Sequence, residues 1–70
     1  MNMNDIQIDE PRVRTYIQGF LDEGVYGPNE QAKALTEANR GAFSQRIWNR
    51  GLPEFMKIFY EEWDKKYPTQ

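Results

Sequence analysis

Apolar residues that recur every three or four positions near the start of the chain constrain its fold more than any other feature. They are Val13, Tyr16, Ile17, Phe20 and Leu21. This spacing places all of them on one face of an α-helix. Asp9 is suited to cap that helix, Pro11 is tolerated within its first turn, and Gly24 is suited to end it in a left-handed conformation. The sequence therefore predicts a helix that begins at residues 9–11 and ends before Gly24.

A second and a third helix are predicted in the middle of the chain. Asn29 is placed to cap the second helix. The narrow inner face of that helix would consist of Ala32, Leu35 and Ala38 or Ala42. Residues 39–41 end in a glycine and predict a turn into a third helix over residues 42–50. One continuous helix over residues 30–50, with the glycine inside it, is the alternative.

The last predicted helix, over residues 53–67, is the most aromatic element. Pro53 suits its first turn, and Glu54 complements the positive end of the helix dipole. Its apolar stripe consists of Phe55, Ile58, Phe59 and Trp63. A second apolar face exceeds what one core contact requires and is predicted to bind a protein. The residues assigned to that interface are Met56, Tyr60, Trp63 and Tyr67.

Together these patterns predict a single all-α domain over residues 1–70, with three to four helices and an extended arm over residues 1–9. A chain of this length buries only about 60% of the surface that its unfolded form exposes, so its stability should be marginal, and pairing with itself or a partner would help. Ten aromatic residues supply much of that core. The predicted core consists of Val13, Ile17, Phe20, Leu21, Leu35, Phe43, Ile47, Phe55, Phe59 and Trp63.

The chain contains neither cysteine nor histidine. Disulfides, thiolate metal sites, thiol nucleophiles and Ser–His pairs are thereby excluded, so no cofactor or metal site is predicted and an enzyme is not expected. No apolar run approaches the roughly 20 residues that cross a bilayer, and the first residues lack the basic start of a secretory signal. A cytoplasmic protein without a membrane partner is the expectation.

Acidic residues cluster near the end of the chain, at Glu61, Glu62 and Asp64. Each of them can complement a helix dipole or pair with the neighbouring Lys65 and Lys66. The cluster is therefore interpreted as solvated charge rather than as a metal or catalytic site.

Positive charge is concentrated in residues 39–51. This segment holds three arginines and no acidic residue, whereas the rest of the chain holds 11 acidic and 6 basic residues. In a protein of net charge −2, positive charge and amide side chains are thus concentrated in one short segment. This asymmetry indicates a binding function for the segment.

The helix predicted over residues 42–50 would present this charge to a partner. Phe43 and Ile47 form its inward apolar edge, so its polar side chains would face outward. Amide groups can bond an adenine edge, and arginine can bond guanine or a phosphate. The sequence therefore predicts binding to double-stranded DNA through Arg40, Gln45, Arg46, Asn49 and Arg50. A solvated polar face is the alternative interpretation.

Residues 29–55 resemble the helix-turn-helix units of small phage and bacterial DNA-binding proteins. The inner positions of the two helices are matched by Ala32, Leu35, Phe43 and Ile47. The Arg-Gly-Leu-Pro step at residues 50–53 is similar to the end of the second helix of such units. The resemblance implies an all-α fold with a helix-turn-helix centre and a role in transcription regulation.

A weaker resemblance connects the chain to ribbon-helix-helix repressors. It rests on residues 6–8, which precede the first helix, and on the loop at residues 23–30. The strand of that family reads DNA, where Asp5 and Asp9 would repel phosphate. The helix-turn-helix resemblance is therefore preferred.

The rival to DNA binding is a protein-binding module or inhibitor of the phage or plasmid type. Net charge −2 favours this class, because affinity for a duplex comes mainly from neutralised phosphates. Three arginines per protomer predict weak DNA binding unless the protein dimerises. The binding surface of an inhibitor would be the second apolar face of the helix at residues 53–67, and its partner a second copy or a larger protein.

Overall fold

The computed structural model of the protein describes residues 10–47 and 52–68, and within these ranges the chain forms three α-helices and no strand. α1 spans Glu10–Asp22, α2 spans Gln31–Ser44 and α3 spans Leu52–Lys66. The prediction of a small all-α domain with three to four helices is confirmed. The arm predicted over residues 1–9 lies outside the described residues.

α1 ends where its sequence predicts. Gly24 adopts a left-handed backbone conformation, with φ of 68°, which costs a glycine little because it has no Cβ. The N–H of Gly24 donates to the carbonyl of Leu21 at 3.0 Å and closes the last turn. The apolar stripe then faces the core, with Val13, Ile17 and Leu21 buried.

The start of α2 differs from the prediction that Asn29 caps it. Glu30 occupies the N-cap position, and its side chain makes no capping hydrogen bond. Its carboxylate instead accepts from the backbone N–H of Gly27 at 2.9 Å, while the N–H of Glu30 donates to the Gly27 carbonyl at 3.0 Å. These two bonds close the turn before α2, and Asn29 is left exposed within it.

α2 runs without interruption through Gly41 and ends at Ser44. The predicted turn at residues 39–41 is therefore wrong, and the alternative of a continuous helix is correct as far as Ser44. Residues 42–44 are the last turn of α2 rather than the start of a helix over residues 42–50. A glycine inside a helix costs only about 1 kcal/mol relative to alanine, which packing against the neighbouring helices can offset.

A Schellman motif ends α2. The backbone N–H of Arg46 donates to the carbonyl of Phe43, and that of Ile47 donates to the carbonyl of Ala42, each at 3.0 Å. Arg46 takes the left-handed conformation of the motif, with φ of 59°. Ile47 packs against the core and supplies the hydrophobic contact that commonly accompanies this motif. The chain therefore turns away from the helix direction at Arg46.

In the core, small residues of α2 meet large side chains of α1 and α3. Ala34, Ala38 and Ala42 are fully buried, whereas Ala32, which was predicted to face inward, is exposed. Because the buried face of α2 carries only methyl groups, its backbone can approach the other helices closely. The buried apolar residues are Val13, Ile17, Leu21, Ala34, Ala38, Ala42, Phe55, Ile58, Phe59 and Trp63.

Most of the predicted core is confirmed. The predicted residues that are buried are Val13, Ile17, Leu21, Phe55, Phe59 and Trp63. Phe20, Leu35 and Ile47 are partly buried and pack against them. The prediction for Phe43 is wrong, since this side chain is 46% exposed. The continuous helix that buries Ala38 turns position 43 about 140° away from it.

α3 runs parallel to α1. Glu10, at the start of α1, lines a cleft with Glu54 near the start of α3, and Asp22, at the end of α1, lines another with Lys66 at the end of α3. The loop at residues 23–30 connects α1 to α2, which meets α1 where the hydroxyl of Tyr16 donates to the Ala38 carbonyl. The starts of α1 and α3 therefore lie at the same end of the molecule.

Phe59→Ala and Phe43→Ala form a matched pair that tests the core. Phe59 is fully buried, so its replacement is expected to lower the free energy of unfolding by about 3 kcal/mol or more. Phe43 is half exposed, and its replacement is expected to cost less than about 1 kcal/mol. Urea denaturation of both variants measures the difference, and equal losses would contradict this assignment of core and surface.

Two glycines inside helices are expected to respond differently to alanine. A Cβ at Gly19 would have nothing within 4 Å, so Gly19→Ala should stabilise the domain by about 1 kcal/mol. A Cβ at Gly41 would overlap the hydroxyl of Tyr16 and displace it from the Ala38 carbonyl, so Gly41→Ala should destabilise. Thermal melts of both variants, and of Gly41→Ala combined with Tyr16→Phe, check this. No recovery in the combined variant would show that the hydroxyl is not the obstacle.

Candidate functional site

An exposed apolar surface runs along α3 and the end of α2 and is called the α2–α3 strip below. It consists of Phe43, Leu52, Met56 and Tyr60. The three residues from α3 recur every four positions and therefore share one side of the helix. Phe43, Leu52 and Tyr60 are 46%, 44% and 37% exposed, and Met56 is partly exposed. Met56 and Tyr60 were predicted to lie at an interface, whereas Leu52 was not.

The α2–α3 strip points away from α1. On α2, Gly41 faces Tyr16 of α1, and Phe43 follows it by two positions, or about 200° around the helix. On α3, Glu62 accepts hydrogen bonds from α1, and Tyr60 precedes it by two positions, again about 200°. Each of the two aromatic side chains therefore points away from α1.

The other two residues predicted to bind a protein face the interior. Trp63 is 4% exposed and belongs to the core. Tyr67 is partly buried, with its ring centroid 4.6 Å from that of Trp63. The hydroxyl of Tyr67 donates to the backbone carbonyl of Tyr26 and so ties the end of α3 to the loop before α2. Their aromatic surface is used within the fold.

The three described residues of the predicted DNA-binding set, Arg40, Gln45 and Arg46, do not share one helical face. Arg40 is exposed on α2. Gln45 lies after the helix and lines a groove beside α1, and Arg46 lies beyond it in the left-handed conformation. Asn49 and Arg50 lie outside the described residues. The arrangement that was expected from a helix over residues 42–50 is therefore not formed, because that helix does not begin.

Basic side chains are nevertheless exposed along and beyond α2. Lys33, Arg40 and Arg46 are exposed and make no ion pair with any residue that the structure describes. The one acidic residue of α2, Glu37, accepts a hydrogen bond from the hydroxyl of Tyr26. α2 is thereby the only one of the three helices with a positive net charge.

A charged cluster joins α1 to α3. The Arg14 guanidinium bonds Glu62 at 2.7 Å, Glu10 at 2.8 Å and Glu61 at 2.9 Å. The side chain of Glu62 is only 4% exposed, and it also accepts from the Gln18 amide at 3.1 Å. Lys65 lies 3.4 Å from the same carboxylate. The interpretation of Glu62 as solvated charge is therefore wrong, since it is buried and fully partnered.

Competing effects set the pKa of Glu62. Burial raises this pKa, but hydrogen bonds from Arg14, Gln18 and Lys65 lower it by more, so the net pKa lies below the ordinary value of 4.5. The hydrogen bond to Glu62 is the largest of the contacts that raise the pKa of Arg14. Both side chains therefore stay charged at neutral pH, and the cluster holds α1 against α3.

The burial of Glu62 was detectable in the sequence. Glu62 follows Ile58 by four positions and Phe59 by three, and thus continues the apolar stripe of α3. A charged residue on such a stripe is buried only when it is paired. The cation that pairs with it comes from α1, 48 positions earlier in the chain, and no local pattern identifies it.

Within the described residues, no group of acidic side chains is arranged to hold a metal ion. None of the helices there has the length and apolar character needed to span a membrane. Comparison of the chain with protein-family models, with curated proteins and with solved structures finds no significant match.

The stability of the domain is expected to fall in acid as Glu62 takes up a proton. Because the folded pKa lies below the unfolded value, the stabilisation is complete above about pH 4.5 and is lost as the pH falls through the folded pKa. Urea denaturation across this range should show a flatter dependence on pH for Glu62→Gln than for the wild type. Identical slopes would show that another carboxylate is responsible.

Proposed function

We propose that this protein is a small non-enzymatic regulator that binds another protein through the α2–α3 strip. The observation that carries the proposal is the exposure of two aromatic side chains, Phe43 and Tyr60, on the side of the molecule away from α1. Leu52 and Met56 extend the same apolar surface along α3. Exposed aromatic and methionine side chains in one patch are typical of protein interfaces.

The two aromatic side chains of the α2–α3 strip would supply most of the binding energy of such an interface. Aromatic side chains bury roughly 150–250 Å² each and dominate the energetics of most interfaces. Arg40 is exposed on α2 and can form part of a polar rim. The partner is a second copy of this chain or a larger protein.

Arg46 favours a second candidate function, binding to double-stranded DNA. A left-handed conformation costs a non-glycine residue on the order of 1 kcal/mol, and glycine usually occupies this position of a Schellman motif. Such strain is characteristic of positions where the side chain has a role. Arg46, Arg40 and Lys33 would neutralise phosphates. With so few cations per protomer, binding would be weak, and its affinity would fall only moderately with salt, because the slope scales with the number of neutralised phosphates.

Two double variants separate the two functions. Phe43→Ser with Tyr60→Ser removes the aromatic part of the strip, whereas Arg40→Ala with Arg46→Gly removes charge and leaves the strip unchanged. If the strip binds a protein, the first variant should lose at least tenfold in affinity, because each aromatic anchor contributes about 1 kcal/mol or more. The second variant should keep the affinity of the wild type. Sedimentation tests self-association, and quantitative cross-linking in host extract tests a larger partner.

The opposite effects of the two double variants would favour DNA binding. In titrations of duplex fragments at two salt concentrations, the variant with Arg40→Ala and Arg46→Gly would then bind weakly, and the variant with Phe43→Ser and Tyr60→Ser would bind normally. Arg46→Gly alone would raise the melting temperature while it weakens DNA binding, because glycine removes both the strain and the cation. A wild type that is monomeric, captures no protein through the strip and binds no duplex at low salt would contradict both candidates.

A further inference from the structure

A groove of about 450 Å³ lies between α1 and the end of α2, on the flank of α2 that faces α1. It is called the aromatic groove below. Its lining residues are Thr15, Tyr16, Gly19, Phe20, Glu23 and Gln45. None of them belongs to the α2–α3 strip, so the groove is a separate surface.

Aromatic side chains form one wall of the groove. The rings of Tyr16 and Phe20 are stacked, with centroids 6.4 Å apart and planes inclined by 27°. The ring of Tyr26 continues the row at 5.3 Å from Phe20 and 22°. All three side chains are partly exposed. Beside them Gly19 leaves open space, because a Cβ there would have nothing within 4 Å.

A free carboxylate lies beside these rings. Glu23 is exposed, and it makes no hydrogen bond or ion pair with any residue in the described ranges. Its charge acts on the wall of the groove, since burial and the proximity of Glu23 together raise the pKa of Tyr16. Among the residues that the structure describes, no basic side chain lines the groove. The aromatic groove therefore combines π-faces with an unneutralised negative charge.

We propose that the aromatic groove binds the guanidinium group of an arginine from a partner protein. A guanidinium is planar, so it can stack on the ring of Tyr16 at the end of the row of aromatic rings, where the ring quadrupole attracts a cation. At the same time its N–H groups can bond the carboxylate of Glu23 in a bidentate arrangement. A lysine ammonium could use the charge but not the flat stacking geometry. The inference does not depend on what the α2–α3 strip binds.

A five-residue peptide with arginine at its centre is the probe, and a peptide with the uncharged isostere citrulline is its control. NMR titration should shift the amide of Gly19 and the ring signals of Phe20 with the arginine peptide. The citrulline peptide should bind about tenfold more weakly, because it keeps the shape but loses the cation. Equal binding of the two peptides would overturn the proposal, as would no shift in the wild type at the highest soluble peptide concentration.

Variants of α1 locate the binding site. Glu23→Gln should weaken binding of the arginine peptide about tenfold, whereas Asp22→Asn, which removes a neighbouring carboxylate outside the groove, should leave binding unchanged. Gly19→Leu should block the groove, and because leucine favours a helix it should not unfold α1. Circular dichroism checks that both groove variants remain folded. Equal loss from Asp22→Asn, or normal binding by Gly19→Leu, would overturn the assignment to this groove.

Sedimentation with and without the arginine peptide distinguishes a separate partner from a second copy of this chain. A monomer that binds the peptide as described supports a separate partner. A dimer that the peptide dissociates, and that Arg40→Ala or Arg46→Ala also dissociates, would show that the groove holds an arginine of another copy. That result would overturn the assignment to a different protein, but it would say nothing against protein binding by the α2–α3 strip.

Discussion

Close contact between α2 and the other two helices is the constraint on which the rest of the structure depends. The fully buried side chains of α2 are all small, namely Ala34, Ala38 and Ala42. The bulk of the core comes instead from α1 and α3, above all from Phe55 and Phe59. Larger residues on this face of α2 would push the helix outward and expose the aromatic core.

The charged cluster fixes how α1 and α3 are rotated against each other. Apolar packing is non-directional and tolerates several rotations of similar energy. A buried carboxylate tolerates only a rotation in which it is paired, because an unpaired buried charge is costly. Glu62 meets Arg14 and Gln18 in the observed arrangement. The burial of Glu62 therefore requires the observed rotation of α1 against α3.

Both candidate surfaces follow from the rotation of α2. With its alanine face turned inward, Gly41 lies against Tyr16, and the aromatic groove forms on that flank. Two positions later, Phe43 is turned out beside α3 and completes the α2–α3 strip. The Schellman motif then ends α2 and holds the backbone of Arg46 in the left-handed conformation. The exposed aromatic residue Phe43 and the acidic residue Glu23 therefore belong to two separate surfaces, the α2–α3 strip and the aromatic groove.

The sequence by itself determined the all-α class, the apolar stripes of α1 and α3, and the left-handed glycine that ends α1, because each depends on local spacing or on one residue's backbone preference. Tertiary structure decided the rest. Residues 31–44 form one helix because burial of its alanines outweighs the local cost of Gly41, a comparison that no window of sequence contains. The partner of Glu62 likewise lies 48 positions away in the chain, and Tyr26 meets Phe20 only through the path of the loop after α1. Exposure depends on which face of a helix meets a neighbour, so spacing alone could not distinguish Trp63 in the core from Tyr60 on the surface.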